Sequence, residues 1–218
     1  MIADLSSYST IVFDCDGVVL NSNKVKTQAF YDTVSHLGDE YAKEFIQYHR
    51  EYGGVSRYKK FEYFLTNIIG HLEAPPRLDD LTQVYAELAL KGLLESEVEP
   101  SLFQMKNACP NARWLIASGG DQVELRTVFS DKGLDSLFEG GIFGSPDSKE
   151  EILSRELNKG NITTPALFIG DSRYDHIAAK QFDFDFVFLS QWTEFSGWDD
   201  YCRNNKIVVS RSLSELIQ

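Results

Sequence analysis

The sequence contains few cysteines and no long apolar run. Its three cysteines, Cys15, Cys109 and Cys202, are an odd number among 218 residues and show no CxxC spacing. This pattern argues against a disulfide framework and a zinc site, and it suits a reducing compartment. No stretch approaches the roughly 18 consecutive apolar residues that span a membrane, and the N-terminus has no basic region followed by an apolar stretch. We therefore expect a cytoplasmic protein without a signal peptide.

Basic residues are also scarce. Lys and Arg total 21 against 33 Asp and Glu, which gives a formal net charge of −12. A chain this acidic is repelled by nucleic acid and by anionic membranes, so neither is expected as a partner. A small phosphorylated molecule can still bind where a metal ion or a cluster of cations reverses the local field. The sequence leaves the oligomeric state open.

Short apolar runs rich in β-branched and aromatic residues alternate with helical patterns over much of the chain. The runs that predict strands lie at 10–14, 114–118, 166–171, 184–189 and 206–209. The patterns that predict helices between them include 122–132, 149–158 and 174–181. Continuously apolar runs indicate strands buried on both faces, as in a parallel sheet. The alternation therefore predicts an α/β, doubly wound domain.

Residues 22–99 interrupt this alternation. Apolar residues such as Phe61 and Phe64 recur there at helical spacing, and no run in the segment predicts a strand. The predicted organisation is a core domain of residues 1–21 and 100–218, with a small helical domain inserted after the first strand.

The first predicted strand ends in Asp14-Cys15-Asp16-Gly17. Two carboxylates at positions i and i+2 of a strand point to the same side, and their repulsion favours a cation between them or a proton on one. Such a pair supplies a nucleophile and a general acid/base. The alternative is an acidic turn after a strand, with Gly17 permitting the change of direction.

Two further segments offer groups that bind phosphate. Ser118-Gly119-Gly120 follows a strand and precedes a helix, where a hydroxyl and free backbone N–H groups can cradle a phosphate; the alternative is a helix N-cap. Lys149 lies in the first turn of a predicted helix, where the helix dipole disfavours a cation. A phosphate or carboxylate partner would explain this position, and a solvated surface lysine is the alternative.

A second acidic cluster follows the third predicted strand. Asp171 ends that strand, and Asp175 follows one helical turn later on the same face. Ligands of open α/β sheets bind beyond the carboxyl ends of the strands, so Asp14, Ser118 and Asp171 could share one crevice. Carboxylate oxygens from two strand ends suit Mg²⁺. A capped helix start is the alternative for Asp171 and Asp175.

In their order along the chain, these residues resemble the four motifs of the haloacid dehalogenase superfamily. The motif residues are Asp14, Ser118, Lys149, Asp171 and Asp175. The resemblance covers roughly residues 8–20 and 100–215 and implies a Rossmann-like core. It also implies that the helical segment 22–99 is a cap domain placed after the first motif, as in relatives of β-phosphoglucomutase and phosphoglycolate phosphatase.

The resemblance implies roles for the motif residues in phosphoryl transfer. Asp14 would be the nucleophile that forms an aspartyl-phosphate, and Asp16 the general acid/base. Ser118, Gly119 and Lys149 would bind the transferring phosphoryl group.

The resemblance also implies a metal site. Asp14, the backbone carbonyl of Asp16, and Asp171 would hold Mg²⁺. Asp175 would lie behind them and orient Lys149 or a water on the metal.

The cap contributes two candidate substrate residues. Gly53-Gly54-Val55-Ser56-Arg57 opens a predicted helix and is similar to the specificity loop of β-phosphoglucomutase-like caps, in which an arginine reaches substrate phosphate. Arg57 is therefore a candidate ligand of the substrate, and a surface ion pair is the alternative. These relatives usually carry an acidic residue where this chain has Asn21, and often a histidine where it has Lys26. Lys26 is thus a second candidate, or a solvated lysine. The four histidines show no metal-ligand spacing and receive no role.

The leading prediction is a Mg²⁺-dependent phosphatase that hydrolyses a small phosphorylated metabolite, such as a sugar phosphate. Asp16 favours this branch, because dehalogenating and phosphonate-cleaving relatives carry no acid at that position. A phosphomutase is the nearest alternative, since an aspartyl-phosphate can be returned to another hydroxyl. A catalytically silent phosphosugar-binding module is the alternative from another class.

Overall fold

The sheet has six parallel strands in the computed structural model, which describes residues 4–217. The strands are β1 Thr10–Phe13, β2 Arg113–Asp121, β3 Ile142–Ser145, β4 Ala166–Gly170, β5 Asp185–Leu189 and β6 Val208–Ser210. Their order in the sheet is β3-β2-β1-β4-β5-β6. The predicted α/β architecture with a parallel sheet is confirmed.

Helices occupy the connections between the strands. Between β1 and β2 lie α1 Asn23–Val34, α2 Asp39–Glu51, α3 Arg57–Tyr63, α4 Leu78–Glu95 and α5 Leu102–Ala108. The later helices are α6 Gln122–Asp131, α7 Lys149–Asn158, α8 Arg173–Gln181, α9 Trp198–Asn205 and α10 Leu213–Leu216. Within residues 4–217, no helix is long and apolar enough to cross a membrane.

The strands are buried on both faces, as their continuous apolar character predicts. In β1, Ile11 and Phe13 join the hydrophobic cluster on one face of the sheet, whereas Val12 joins the cluster on the other face. Phe13 packs against Trp114 of β2 with ring centroids 4.6 Å apart. The first strand therefore packs between two hydrophobic layers. This packing fixes the position of its carboxyl end.

The helices α1 to α4 have a hydrophobic cluster of their own, built from residues between positions 29 and 89. The Phe30 ring lies 5.5 Å from Phe45 and 4.1 Å from Tyr85, centroid to centroid. The predicted helical segment between the first two strands is confirmed and has the character of a cap. The boundaries of the two domains stay a prediction.

Two strands at the edges of the sheet differ from the prediction. The sequence analysis did not predict β3, which is only four residues long and follows two glycines. The predicted strand at 206–209 begins later, because Lys206 adopts a left-handed φ of 56° and ends α9. Neither difference changes the order of the central strands.

Candidate active site

Polar side chains from three adjacent strands meet at the carboxyl edge of the sheet. Asp14 directly follows β1, and Asp171 directly follows β4. Ser118 and Gly119 lie in the last part of β2, where its pairing with β3 loses regular register. Because β2, β1 and β4 are neighbours in the sheet, these residues share one edge, as the sequence predicts.

Lys149, the first residue of α7, is buried between two carboxylates. Its Nζ lies 3.0 Å from Asp14 Oδ1 and also donates to Asp175 Oδ1. Burial alone would lower the pKa of Lys149, but the two carboxylates raise it above its usual range. The ammonium group therefore stays charged. The carboxylate partner expected from the sequence is present, and the alternative of a solvated lysine is wrong.

Asp175 is held by the N-terminus of its own helix, α8. Its Oδ2 accepts hydrogen bonds from the backbone N–H groups of Asp171 and Ser172 at 3.2 and 3.0 Å, and from Ser172 Oγ at 2.6 Å. Ser172 Oγ in turn accepts from Asp175 N at 3.3 Å. Ser172 and Asp175 therefore form the cap at the start of α8. Oδ2 of Asp175 accepts from this cap and Oδ1 accepts from Lys149, so both carboxylate oxygens have a donor.

Asp14, Asp171 and Asp175 form a buried cluster in which one oxygen of each lies within 4.8 Å of the others. Burial raises the pKa of Asp14 to about 7, although Lys149 opposes this shift. Burial, Asp14 and Asp175 raise the pKa of Asp171 well above its usual range. Within residues 4–217, Asp14 Oδ2 and Asp171 Oδ1 accept no hydrogen bond. Carboxylate oxygens that repel one another and lack donors fit a hard metal cation, which would stabilise both charges.

Gly17 allows a cap residue to reach this cluster. Gly17 has a left-handed φ of 76°, and a Cβ atom on it would lie 2.1 Å from Asp171 Oδ2 and 2.4 Å from Asn23 Nδ2. Asn23, the first residue of α1, donates from Nδ2 to Asp171 Oδ2 at 2.6 Å. Asn23 could not be predicted from the sequence, because it lies 148 positions from Asp171 and no local pattern marks the contact.

Asp16 faces the cap rather than the carboxylate cluster. Its Oδ2 accepts from Lys26 Nζ at 2.5 Å, and its Oδ1 accepts from Ser22 Oγ at 2.6 Å. Burial would raise the pKa of Asp16, but Lys26 and Ser22 outweigh burial and hold the pKa below its usual value. Asp16 is therefore ionised. Lys26 is 7% exposed, so the alternative of a solvated lysine is wrong here also.

Ser118 is buried in the last part of β2, shortly before α6. Its Oγ accepts from the backbone N–H of Gly120 at 3.0 Å. The N-cap of α6 is Asp121, whose side chain accepts from the N–H groups of Val123 and Glu124. The alternative of Ser118 as the helix cap is therefore wrong.

The loop before α3 packs directly on the carboxyl edge of the sheet. A Cβ atom on Gly119 would lie 2.1 Å from the carbonyl oxygen of Gly54. Gly54 has a left-handed φ of 78°, and its own Cβ position lies 3.0 Å from Ser172 Oγ. Glycine at both positions allows this approach, so the cap is closed over the core.

Arg57 joins the cap to the core through a buried ion pair. It is 4% exposed, and its two terminal nitrogens donate to the two carboxylate oxygens of Glu124 in α6. Its guanidinium carbon lies 4.6 Å from the centroid of the Tyr85 ring. The ion pair expected as an alternative exists but is not on the surface, and direct contact between Arg57 and substrate stays a prediction. Ser56, the N-cap residue of α3, makes no side-chain capping bond.

A cavity of about 60 Å³ lies between the cap and the sheet edge. The predicted site residues that line it are Asp14, Asp16, Lys26, Arg57, Gly119 and Asp171. Ser118 and Lys149 lie outside its lining. Lys149 and Gly119 line a neighbouring cavity of about 100 Å³. Acidic residues of the core and cations of the cap therefore line one cavity, and Lys149 lines the neighbouring one.

The lining also contains residues to which the sequence analysis gave no role. They are Asn23, Phe30, His49, Lys60, Thr193 and Glu194, among others. One signal could have found Lys60: it lies three residues after Arg57 and next to Phe61, on the buried face of α3. A lysine in phase with an apolar helical face is unusual enough to suggest a function.

One comparison with known proteins identifies the family of this chain. A family model described as haloacid dehalogenase-like hydrolase matches residues 8–183. No curated protein matches the chain. The fold is similar to that of a predicted phosphatase from Clostridium acetobutylicum, at 18% identity and a TM-score of 0.74 over 97% of each chain.

Two further solved structures share the fold over nearly their whole length. One is CbbY from Rhodobacter sphaeroides in complex with phosphate, at 19% identity and a TM-score of 0.66 over 96% of each chain. The other is a hydrolase from Pseudomonas syringae, at 18% identity and a TM-score of 0.70 over 96% of each chain. At these identities the likeness establishes the fold.

Proposed function

Because the chain belongs to the haloacid dehalogenase-like hydrolases, we propose that it is a Mg²⁺-dependent phosphatase that acts on a small phosphorylated metabolite. The observation that carries this proposal is the buried cluster of Asp14, Asp171 and Asp175, with Lys149 bound to two of its members. Such a cluster repels phosphate unless bound cations reverse the local field. The solved structure of CbbY with phosphate agrees with this reaction class.

In the first step, Asp14 acts as the nucleophile. One of its carboxylate oxygens attacks the phosphorus atom of the ester; an O–P bond to Asp14 forms, and the bond between phosphorus and the ester oxygen breaks. The leaving oxygen takes a proton from Asp16 and departs as an alcohol. Asp16 is ionised while Lys26 is paired with it, so in this step it acts in its protonated form, which the hydrolysis step below regenerates. The product on the protein is an aspartyl-phosphate at Asp14.

In the second step, Asp16 acts as the base. It takes a proton from a water molecule, the water oxygen bonds to phosphorus, and the bond to Asp14 breaks to release phosphate. The ionised state that Lys26 imposes on Asp16 suits this step. The proton gained here is the one that Asp16 gives to the leaving oxygen in the next turnover.

We assign Ser118, Gly119 and Lys149 to the phosphoryl group. Lys149 supplies a fixed positive charge next to Asp14, and Gly119 lines both cavities. Ser118 lies outside the cavity lining and accepts a hydrogen bond from Gly120 N, so its part is to hold the backbone of Gly119 and Gly120, which faces the phosphoryl group.

We assign Asp14, Asp171 and the backbone carbonyl of Asp16 to Mg²⁺. When bound, Mg²⁺ supplies positive charge that stabilises the phosphoryl oxygens in the transition state. Both oxygens of Asp175 already accept hydrogen bonds, so its part is to hold Lys149 in place.

Hydrolysis of p-nitrophenyl phosphate tests this function. Phosphate release should require Mg²⁺, stop with EDTA and return when Mg²⁺ is added in excess. Asp171→Asn should raise the Mg²⁺ concentration needed for half-activation by at least about tenfold, because it removes a charged ligand. Asp80→Asn, which changes an exposed acid in α4, is the control and should have no effect.

Two outcomes would contradict the proposal. Full activity in metal-free buffer would overturn the metal assignment. Folded protein that hydrolyses no phosphate monoester in the presence of Mg²⁺ would overturn the phosphatase assignment.

A further inference from the structure

Lys60 is a buried cation of the cap that lacks an acidic partner. It is 2% exposed and lines the cavity with Asp14 and Asp16. Within residues 4–217, no carboxylate oxygen lies within 4.0 Å of its Nζ, whereas buried Lys26, Arg57 and Lys149 each pair with a carboxylate. A buried charge without a counter-charge is costly, so a position like this needs another explanation.

The contacts of Lys60 leave part of its ammonium group free. Its Nζ lies 2.7 Å from His49 Nδ1 and 3.5 Å from the His49 carbonyl oxygen. An ammonium group has three N–H bonds. The centroid of the Phe30 ring lies 5.4 Å from the same nitrogen. At least one N–H bond therefore has no hydrogen-bond acceptor among the described residues, in a side chain that lines the cavity.

The orientation of His49 follows from its other contact. Thr27 Oγ donates its one proton to Glu194, so it can only accept from His49 Nε2, which lies 3.0 Å away. His49 Nδ1 is then unprotonated and accepts from Lys60. Burial and the nearby cation of Lys60 lower the pKa of His49 well below its usual value, which keeps the ring neutral. His49 thus positions Lys60 without neutralising it.

The electrostatics of Lys60 favour an anion in the cavity. Burial, Lys26 and Lys149 together lower the pKa of Lys60 to about 7, against the opposing effect of Asp16 and Asp14. A bound anion would supply the missing counter-charge and stabilise the protonated form.

We propose that Lys60, positioned by His49, binds a second anionic group of the substrate while the transferring phosphoryl group lies at Asp14. This inference rests on the proposed function and defines its substrate class as phosphate monoesters that carry a carboxylate or a second phosphate. Arg57 is less suited to this task, because Glu124 occupies both of its terminal nitrogens. The cavity of about 60 Å³ selects compact molecules, since one water needs about 10–15 Å³ by this measure.

A matched pair of esters tests the subsite. 2-Phosphoglycolate and 2-hydroxyethyl phosphate have the same chain length, and only the first carries a carboxylate. Lys60→Met, which removes the charge and keeps the length, should lower kcat/KM for 2-phosphoglycolate about ten- to hundredfold, mainly through KM. It should change kcat/KM for 2-hydroxyethyl phosphate less than about threefold. Lys91→Met, which changes an exposed lysine of the cap helix α4, is the matched control.

Two further arms complete the test. Ethylene glycol bisphosphate is 2-hydroxyethyl phosphate with a second phosphate on its hydroxyl group. The anionic ester whose kcat/KM depends more strongly on Lys60 is the one that the subsite prefers.

His49→Gln should raise KM for the preferred anionic ester and leave kcat within about twofold. Equal losses on charged and neutral esters in Lys60→Met would overturn the proposal and assign Lys60 to the packing of the cap. No loss on either charged ester would overturn it as well.

Binding separates this inference from the proposed function. In Asp14→Asn, calorimetry measures the affinity for 2-phosphoglycolate and for the bisphosphate without turnover. Weaker binding on adding Lys60→Met supports the subsite even if the wild-type protein hydrolyses neither ester, in which case only the phosphatase assignment fails. Hydrolysis of p-nitrophenyl phosphate together with binding that is independent of Lys60 would contradict only the subsite.

Discussion

Four cations are buried around the cavity of an otherwise acidic protein. Lys26, Arg57 and Lys149 each contact a carboxylate, whereas the described contacts of Lys60 are to His49 and to the ring of Phe30, neither of which carries a negative charge. A carboxylate offsets the loss of hydration when a cation is buried. Among these four cations, Lys60 is therefore the one whose protonated form is destabilised by folding.

Lys60→Met should stabilise the protein against heat, and more so at low pH. The usual pKa of lysine, 10.5, falls to about 7 in the folded protein through burial, Lys26 and Lys149, against Asp16 and Asp14. Below pH 7 the lysine is protonated in both states, so folding carries the whole cost of burying the charge. Between about pH 7 and 10.5 the unfolded chain holds a proton that the folded protein has released, so wild-type stability rises with pH.

Thermal melting in EDTA-containing buffer measures this effect. We expect the rise in Tm from Lys60→Met to be a few degrees larger at about pH 6 than at about pH 9, since 1 kcal/mol corresponds to about 2–4 °C at this chain length. Lys91→Met, at an exposed position of α4, should show no such pH dependence. An equal shift at both pH values would mean that Lys60 has an ordinary pKa.

At the scale of elements, α3 and the loop before it form the part of the cap that meets the core. The glycines of the loop approach Gly119 and Ser172, and the buried face of the helix carries Arg57 and Lys60. This short helix therefore holds the cap against the core and places Lys60, a cation without an acidic partner among the described residues, in the lining of the cavity.

The ion pair between Arg57 and Glu124 should act as a latch between cap and core. Arg57→Ala and Glu124→Ala should each lower kcat/KM to a similar extent. The double variant should lose less than the sum of the two, with a coupling free energy of about 1–3 kcal/mol. The losses should be the same for p-nitrophenyl phosphate and 2-phosphoglycolate, because the contact is with the protein. Steady-state kinetics on the four proteins of the cycle measure this.

Arg77→Ala, which removes an arginine that is 79% exposed, is the control for the latch. A loss confined to 2-phosphoglycolate in Arg57→Ala, with no effect of Glu124→Ala, would instead identify Arg57 as a substrate ligand.

Element prediction succeeded where the pattern is local. The β-branched run before Asp14 and the apolar run before Asp171 mark central strands, because both faces of such strands are buried. The edge strands were harder to predict. β3 has four residues and ends in Gly144 and Ser145, so it lacks a long apolar run. At β6, the left-handed Lys206 breaks what reads as a continuous strand.

At the scale of the whole molecule, the site depends on how the cap sits on the core. Strand ends could be placed from the sequence, so Asp14 and Asp171 could be expected at one edge. The contacts of Asn23 with Asp171 and of Thr27 with Glu194 span 148 and 167 residues, and no local pattern specifies them. The lack of an acidic partner for Lys60 among the described residues likewise depends on how the cap packs on the core, and no local pattern specifies it.

In the proposed reaction, phosphoryl transfer passes through Asp14. Mass spectrometry of the protein, after acid quenching during turnover of p-nitrophenyl phosphate with Mg²⁺, tests this step directly. We expect one added phosphoryl group on the peptide that contains Asp14, and none in EDTA. Asp14→Asn should fold normally, carry no phosphoryl group and release phosphate at less than about a thousandth of the wild-type rate, because an amide is a very poor nucleophile. A phosphoryl group on another residue, or wild-type turnover by Asp14→Asn, would contradict the account.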